Sequence, residues 1–81
     1  MEQNKHLLEN IDKIHTTSMG ESRIRKNLNL ENIDAVAFCK EKISGNKCHI
    51  YRQGKNWYCE TGGIKFTINS KSYTIITAHK I

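Results

Sequence analysis

The sequence predicts an α+β fold, with three N-terminal helices packed on a four-stranded antiparallel β-meander. Three observations point there. The spacing of apolar residues changes near Gly45 from about 3.6, the period of a helix, to about 2, the period of a strand. Turn-forming residues at Gly54-Lys55, Gly62-Gly63 and Asn69-Ser70-Lys71 cut the stretch after Gly45 into short pieces rich in β-branched and aromatic residues. The connections are too short for a crossover, so neighbours pair antiparallel in the order one-two-three-four. The third strand is then internal and no parallel pair is expected. The chain reads as a single domain, residues 1–81, helical over 1–45 and sheet over 46–81.

The first helix spans about Glu2 to Ile14, where Leu7, Ile11 and Ile14 recur at i, i+4 and i+7 and Leu8 widens the stripe. Ser18-Met-Gly-Glu21 has the spacing of a capping box, which starts a second helix at Ser18 and carries it to about Leu28. Ile24 and Leu28 face inward there, Arg23, Lys26 and Asn27 face solvent, and Arg25 lies on a flank. The third helix begins near Asn29 or Leu30 and ends at Ser44-Gly45, glycine being the expected residue past a helix C-terminus. Leu30, Ile33, Val36, Ala37, Cys39 and Ile43, with Phe38, cover more than half its circumference, the pattern of a central helix.

The strands run about Lys47–Arg52, Asn56–Glu60, Gly63–Asn69 and Ser72–Lys80, and Gly62-Gly63 signals a tight hairpin of the primed type. In the third, Ile64, Phe66 and Ile68 point inward and Lys65, Thr67 and Asn69 outward. With Cys48 and Ile50 toward the helices, His49 and Tyr51 share the open face with Lys65 and Thr67. Trp57 and Cys59 take one side of the second strand, Tyr58 and Glu60 the other. The fourth strand fits the helices by either face, because Tyr73, Ile75, Thr77 and His79 alternate with an equally mixed set.

A domain of 81 residues buries roughly 60–65% of the surface its unfolded chain exposes, so a surface groove is expected rather than a deep cavity. The net charge of +5 is uneven. Seven Lys/Arg meet seven acids over residues 1–45, whereas six meet Glu60 alone over residues 46–81. A basic sheet draws polyanions, nucleic acid first among them, although a solvated surface that keeps a small protein soluble has the same composition. Residues 1–10 are mostly polar, without the apolar run of a signal peptide or membrane span, so no membrane partner is expected. Cys39, Cys48 and Cys59 are odd in number and widely spaced, which fits a cytoplasmic protein with reduced thiols. None has the Cys-x-x-Cys spacing of a zinc knuckle. They read as small core hydrophobes, and neither metal, disulfide nor cofactor is expected.

An open face bearing His49, Tyr51, Lys65 and Thr67 has the parts of a strand-based RNA reader: cations for phosphate, rings for stacking, hydroxyls for sugar. Half-buried sheets also commonly show Thr, Lys and Tyr to solvent. The chain has four histidines, His6, His15, His49 and His79, the side-chain type most used for proton transfer near neutral pH. Taken singly, His15 reads as a helix C-terminal cation and His79 as a strand-end residue. With Arg23, Arg25 and Lys80 they supply what a metal-independent ribonuclease needs: a base for the ribose hydroxyl, an acid for the leaving oxygen and a cation for the phosphorane.

Ser18-Met-Gly-Glu-Ser-Arg-Ile-Arg-Lys-Asn-Leu28, Phe38-Cys-Lys40, Gly54-Lys-Asn-Trp-Tyr58 and Ser72-Tyr-Thr-Ile-Ile-Thr-Ala-His-Lys80 resemble a family of short uncharacterised bacterial and phage proteins, a domain of unknown function. The resemblance covers most of the chain beyond His15 and implies no activity. A looser resemblance is to the barnase/EndoU/colicin/RelE-type ribonuclease superfamily, with N-terminal helices before a four-stranded sheet. It implies a basic role for Arg23 and Arg25 and a terminal motif at Thr77-Ala-His79, but the strand is shorter and no paired His is evident.

These expectations combine into an RNA-binding or RNA-cleaving module of a mobile element. Arg23, Arg25, Lys26, His49, Tyr51, Lys65 and Lys80 contact nucleic acid, and His79, Arg23 and His15 carry catalysis. Arg23, Arg25, His79 and Lys80 are expected on one rim, where the second helix meets the end of the fourth strand. Arg23 and His79 on opposite faces would favour the alternative, a non-catalytic protein-interaction or inhibitor protein of the phage or anti-defence type. Its partner would be an antitoxin or a target protein.

Overall fold

Helix α1 covers Glu2–Glu9 and stops earlier than the apolar spacing predicts. The computed structural model of the protein describes residues 2–45 and 47–81, with side chains from His6 onward. Asn10 ends the helix. Its Nδ2 donates to the His6 carbonyl at 2.8 Å, and its backbone turns out to φ −112°, ψ 23°. A 3₁₀ turn at Ile11–Lys13 follows, and Ile14 returns to the core. Leu8 is 40% exposed and does not widen the buried stripe.

Helix α2 is Ser18–Leu28, as predicted, but its cap is Thr17, whose Oγ1 accepts from the Gly20 N–H at 3.0 Å. Glu21 is therefore free to pair with Arg25 instead of closing a capping box, at 3.2 Å. Gly20, Ile24 and Leu28 are buried, and Asn29 ends the helix in the left-handed region at φ 55°.

Helix α3 is Ala35–Ile43, starting five or six residues later than expected. Asn29 and Asn32 both have positive φ, which breaks the helical path, and Asp34 caps the new start through Oδ1 to Ala37 N–H at 3.0 Å. Its buried residues, Ala35, Cys39 and Ile43, form one narrow stripe, so α3 is a cover rather than a central helix.

The sheet consists of β1 His49–Gln53, β2 Asn56–Thr61, β3 Ile64–Asn69 and β4 Ile75–Lys80, in the order β1-β2-β3-β4. All three pairings are antiparallel and β3 is internal. Gly62 and Gly63 both take positive φ, 55° and 77°, as the primed turn requires.

Strand β4 begins three residues later than propensity suggests. The Asn69 Oδ1 accepts from the backbone N–H groups of Lys71 and Ser72 at 2.9 and 3.0 Å. That turn delivers Tyr73 at φ 58°, a conformation no strand residue adopts. Within β4, Thr77 pairs with Thr67 but Ile75 pairs with Ile68, so one residue, Ile76, is bulged outward. The bulge switches the phase, and Ile75 and Ala78 both reach the core while Ile76 is 41% exposed.

The expected absence of parallel pairing fails at one place outside the sheet. His15 N–H donates to the Tyr73 carbonyl at 3.1 Å and Ile75 N–H to the His15 carbonyl at 2.7 Å, forming an isolated parallel bridge between His15 and Thr74. The chain between α1 and α2 thus satisfies groups on the outer edge of β4. One core layer results. Leu7, Ile14, Ile24, Leu28, Ala35, Cys39 and Ile43 meet Ile50, Trp57, Cys59, Phe66, Ile68, Ile75 and Ala78. Among the described residues the helices cover one face of the sheet, and none packs on the other.

Candidate functional site

The open face is organised by strand register. The two-residue turns place Tyr51 opposite Tyr58 and Tyr58 opposite Thr67, and the longer β3–β4 connection brings Thr77 opposite Thr67. A second row runs His49, Glu60, Lys65 and His79. Alternation sends both rows away from the core residues Ile50, Cys59, Phe66 and Ala78.

The rings of Tyr51 and Tyr58 are 5.4 Å apart and 22° from parallel, and His49 lies 5.2 Å from Tyr51. Lys65 Nζ sits 5.0 Å from the centroid of Tyr58. The Tyr51 hydroxyl donates to Glu60 Oε2 at 2.8 Å, and that bond holds the phenol above its ordinary pKa. Thr67 is 8% exposed between Tyr58 and Thr77, so the centre of the face is closed by side chains of its own. No enclosed pocket exists among the described residues, which leaves open surfaces as candidates.

Sequence reasoning placed His49, Tyr51 and Lys65 together, and the structure does bring them onto one face. It also adds His79 beside Lys65. Tyr58, Glu60 and Thr77 were missed as members of the cluster. The signal was present: a two-residue loop closed by Gln53 and Asn56 fixes Tyr51 against Tyr58 by counting back along both strands.

The expected rim does not form. Helix α2 lies over the core side of β4, with Ile24 and Leu28 buried and Asn27 Nδ2 donating to the Ala78 carbonyl at 3.1 Å. Arg23 and Lys26 are exposed on that helix, while His79 projects from the opposite face of the sheet. Arg25 is held by Glu21. Lys80 pairs with Ile64 and has the parity of Ala78, so it leaves the row that holds His79. His15 is further away still. Its Nδ1 and Nε2 face the Lys13 carbonyl and Thr74 Oγ1, at 2.9 and 3.1 Å, at the start of β4, roughly 15 Å along the strand from His79.

The charge excess of the sheet half is also redistributed. Only Lys65 stands within the open face, opposite Glu60, while Lys47, Lys55, Lys71 and Lys80 are exposed in turns and at a strand end. The two turn lysines flank one end, where Ser70 N–H donates to the Lys55 carbonyl at 2.9 Å. The face carries its aromatic rings on β1 and β2, with lysines around its perimeter.

A family model described as a protein of unknown function, DUF3781, matches residues 8–79. The chain belongs to the DUF3781 family. That match spans both helical and sheet halves, including every residue of the open face named above. No curated protein and no solved structure matches the chain. None of the described helices of this DUF3781 chain is long and apolar enough to cross a membrane.

Proposed function

We propose that the open sheet face binds single-stranded RNA without cleaving it. The observation that carries this reading is the pair of adjacent rings, Tyr51 and Tyr58, on an uncovered face with Lys65 poised over one of them. Rings on a sheet surface stack bases, and lysines at the perimeter meet the phosphates on either side. The hydroxyls of Thr77 and Tyr51 lie in the row of the two rings, for contacts to sugar.

Cleavage lacks support of this kind. His79, Arg23 and His15 occupy three separate places, so no base, acid and cation converge on one phosphate. The looser ribonuclease resemblance is therefore taken no further than nucleic-acid binding. A cytoplasmic setting within a bacterial or phage mobile element is part of the same proposal, and the identity of neighbouring genes bears on it.

A protein-interaction role is the second reading, favoured by two observations: Arg23 and His79 lie on opposite faces of the sheet, and Lys65 is matched by Glu60, so the face itself carries little net charge. Titration of a fluorescent single-stranded RNA at about 50 and about 200 mM salt separates the two. RNA binding predicts a steep salt dependence, a loss of about tenfold or more in Tyr58→Ala, and little change in Arg23→Ala. No binding at low salt removes the RNA reading in favour of a protein partner.

A further inference from the structure

Cys48 and Cys59 are not independent thiols. His49 pairs with Glu60 and Ile50 with Cys59, so Cys48, one residue ahead of β1, is the diagonal neighbour of Cys59 on the core face. Right-handed strand twist draws one diagonal of each antiparallel pair together. The neighbouring thiol lowers the pKa of Cys48 and, with burial, raises that of Cys59. Their exposures differ in a useful way. Cys48 is half-buried beside an edge strand, whereas Cys59 is fully buried. Cys39, the third thiol, is fully buried on α3.

We propose that Cys48 and Cys59 form a peroxide-sensitive dithiol, a modification site in which Cys48 is the attacking thiol and Cys59 the resolving one. The Cys48 thiolate attacks one oxygen of hydrogen peroxide, the O–O bond breaks, and hydroxide leaves, giving the sulfenic acid. Cys59 then gives up its proton, and its sulfur attacks Cys48 Sγ, breaking the S–O bond and forming the disulfide. In total two thiols and one peroxide yield one disulfide and two waters, sulfur being oxidised and peroxide oxygen reduced. The product clips β1 to β2, the hairpin that carries Tyr51 and Tyr58. The proposal stands whether or not that hairpin binds RNA.

The test is oxidation of the reduced 81-residue chain with a modest excess of hydrogen peroxide, followed by alkylation and peptide mass spectrometry. The expected product is monomeric, lighter by two hydrogens, with Cys48 linked to Cys59 and Cys39 still a thiol. Its melting midpoint rises by on the order of 10 °C and falls back with dithiothreitol. Cys59→Ser stops at a Cys48 sulfenic acid trapped by dimedone, and Cys48→Ser leaves Cys59 unreacted. Three thiols persisting in the wild type, Cys48 passing to sulfinic acid without a link, or covalent dimers in place of the internal bond would each overturn it.

Discussion

Phe66 is fully buried on the internal strand, opposite Cys59 on one side and Ala78 on the other. Phe66→Ala should cost roughly 3–5 kcal/mol, most of the stability of so small a domain, and a urea melt with a lower midpoint and unchanged slope would record it. A loss under about 1 kcal/mol would place the core elsewhere. Cys39 supplies a pH test. Burial pushes its thiol from the ordinary 9.0 up to about 12. The folded chain then keeps a proton that the unfolded chain has already lost, so this contribution is full below pH 9.0 and disappears as pH rises toward about 12. Thermal melts under reductant should show that alkaline decline, and Cys39→Ala should flatten it. Phe66 was legible from alternation alone, because every odd-even step in β3 is regular. Tyr73 was not. Propensity reads an aromatic before Thr-Ile-Ile as strand, but the Asn69 side chain captures the following amides and sends Tyr73 to positive φ.

Gly20 shows how α2 and β4 fit. A Cβ there would collide with Thr16 Oγ1 and lie 3.3 Å from Thr17 Oγ1 and 3.5 Å from the Ile75 carbonyl. Thr16 cannot swing away freely, since its Oγ1 donates to that same carbonyl at 3.0 Å. Gly20→Ala should therefore destabilise by about 1–3 kcal/mol, even though alanine is the better helix former. Thr16→Ala removes the obstructing oxygen. The double variant should lose less than the two single losses added together, a coupling that a cycle of denaturant melts reads directly. Strict additivity would mean the helix does not approach the strand this closely. Elements with one dominant local signal were legible, as with α2, whose ends came out at Ser18 and Leu28. Helix α3 was misread because Leu30 and Ile33 extend its apolar spacing backward, whereas two left-handed asparagines and the Asp34 cap set the real start. Periodicity alone cannot see a backbone that has already left the helical region.

At the scale of the whole molecule, the hairpin turns made the sheet order readable, and simple counting from them recovers both rows of the open face across β1, β2 and β3. The fourth strand resisted because a bulge at Ile76 lets both of its phases touch the core, and without its phase His79 could not be assigned to a face. The rim that was expected to join Arg23 to His79 depended on that assignment and dissolved with it. What the assembled fold does present is one uncovered sheet surface, with aromatic rings on β1 and β2 and lysines around its edge. If this surface is the RNA site, binding should be local to it and indifferent to α2. The most direct measurement is an amide chemical-shift titration of the reduced, isotope-labelled chain with a short single-stranded oligouridine at low salt. The account predicts shifts concentrated at His49, Tyr51, Tyr58, Lys65, Thr77 and His79, with those of Arg23–Lys26 unmoved. Shifts centred on Arg23–Lys26, or none anywhere on the open face at saturating RNA, would contradict it.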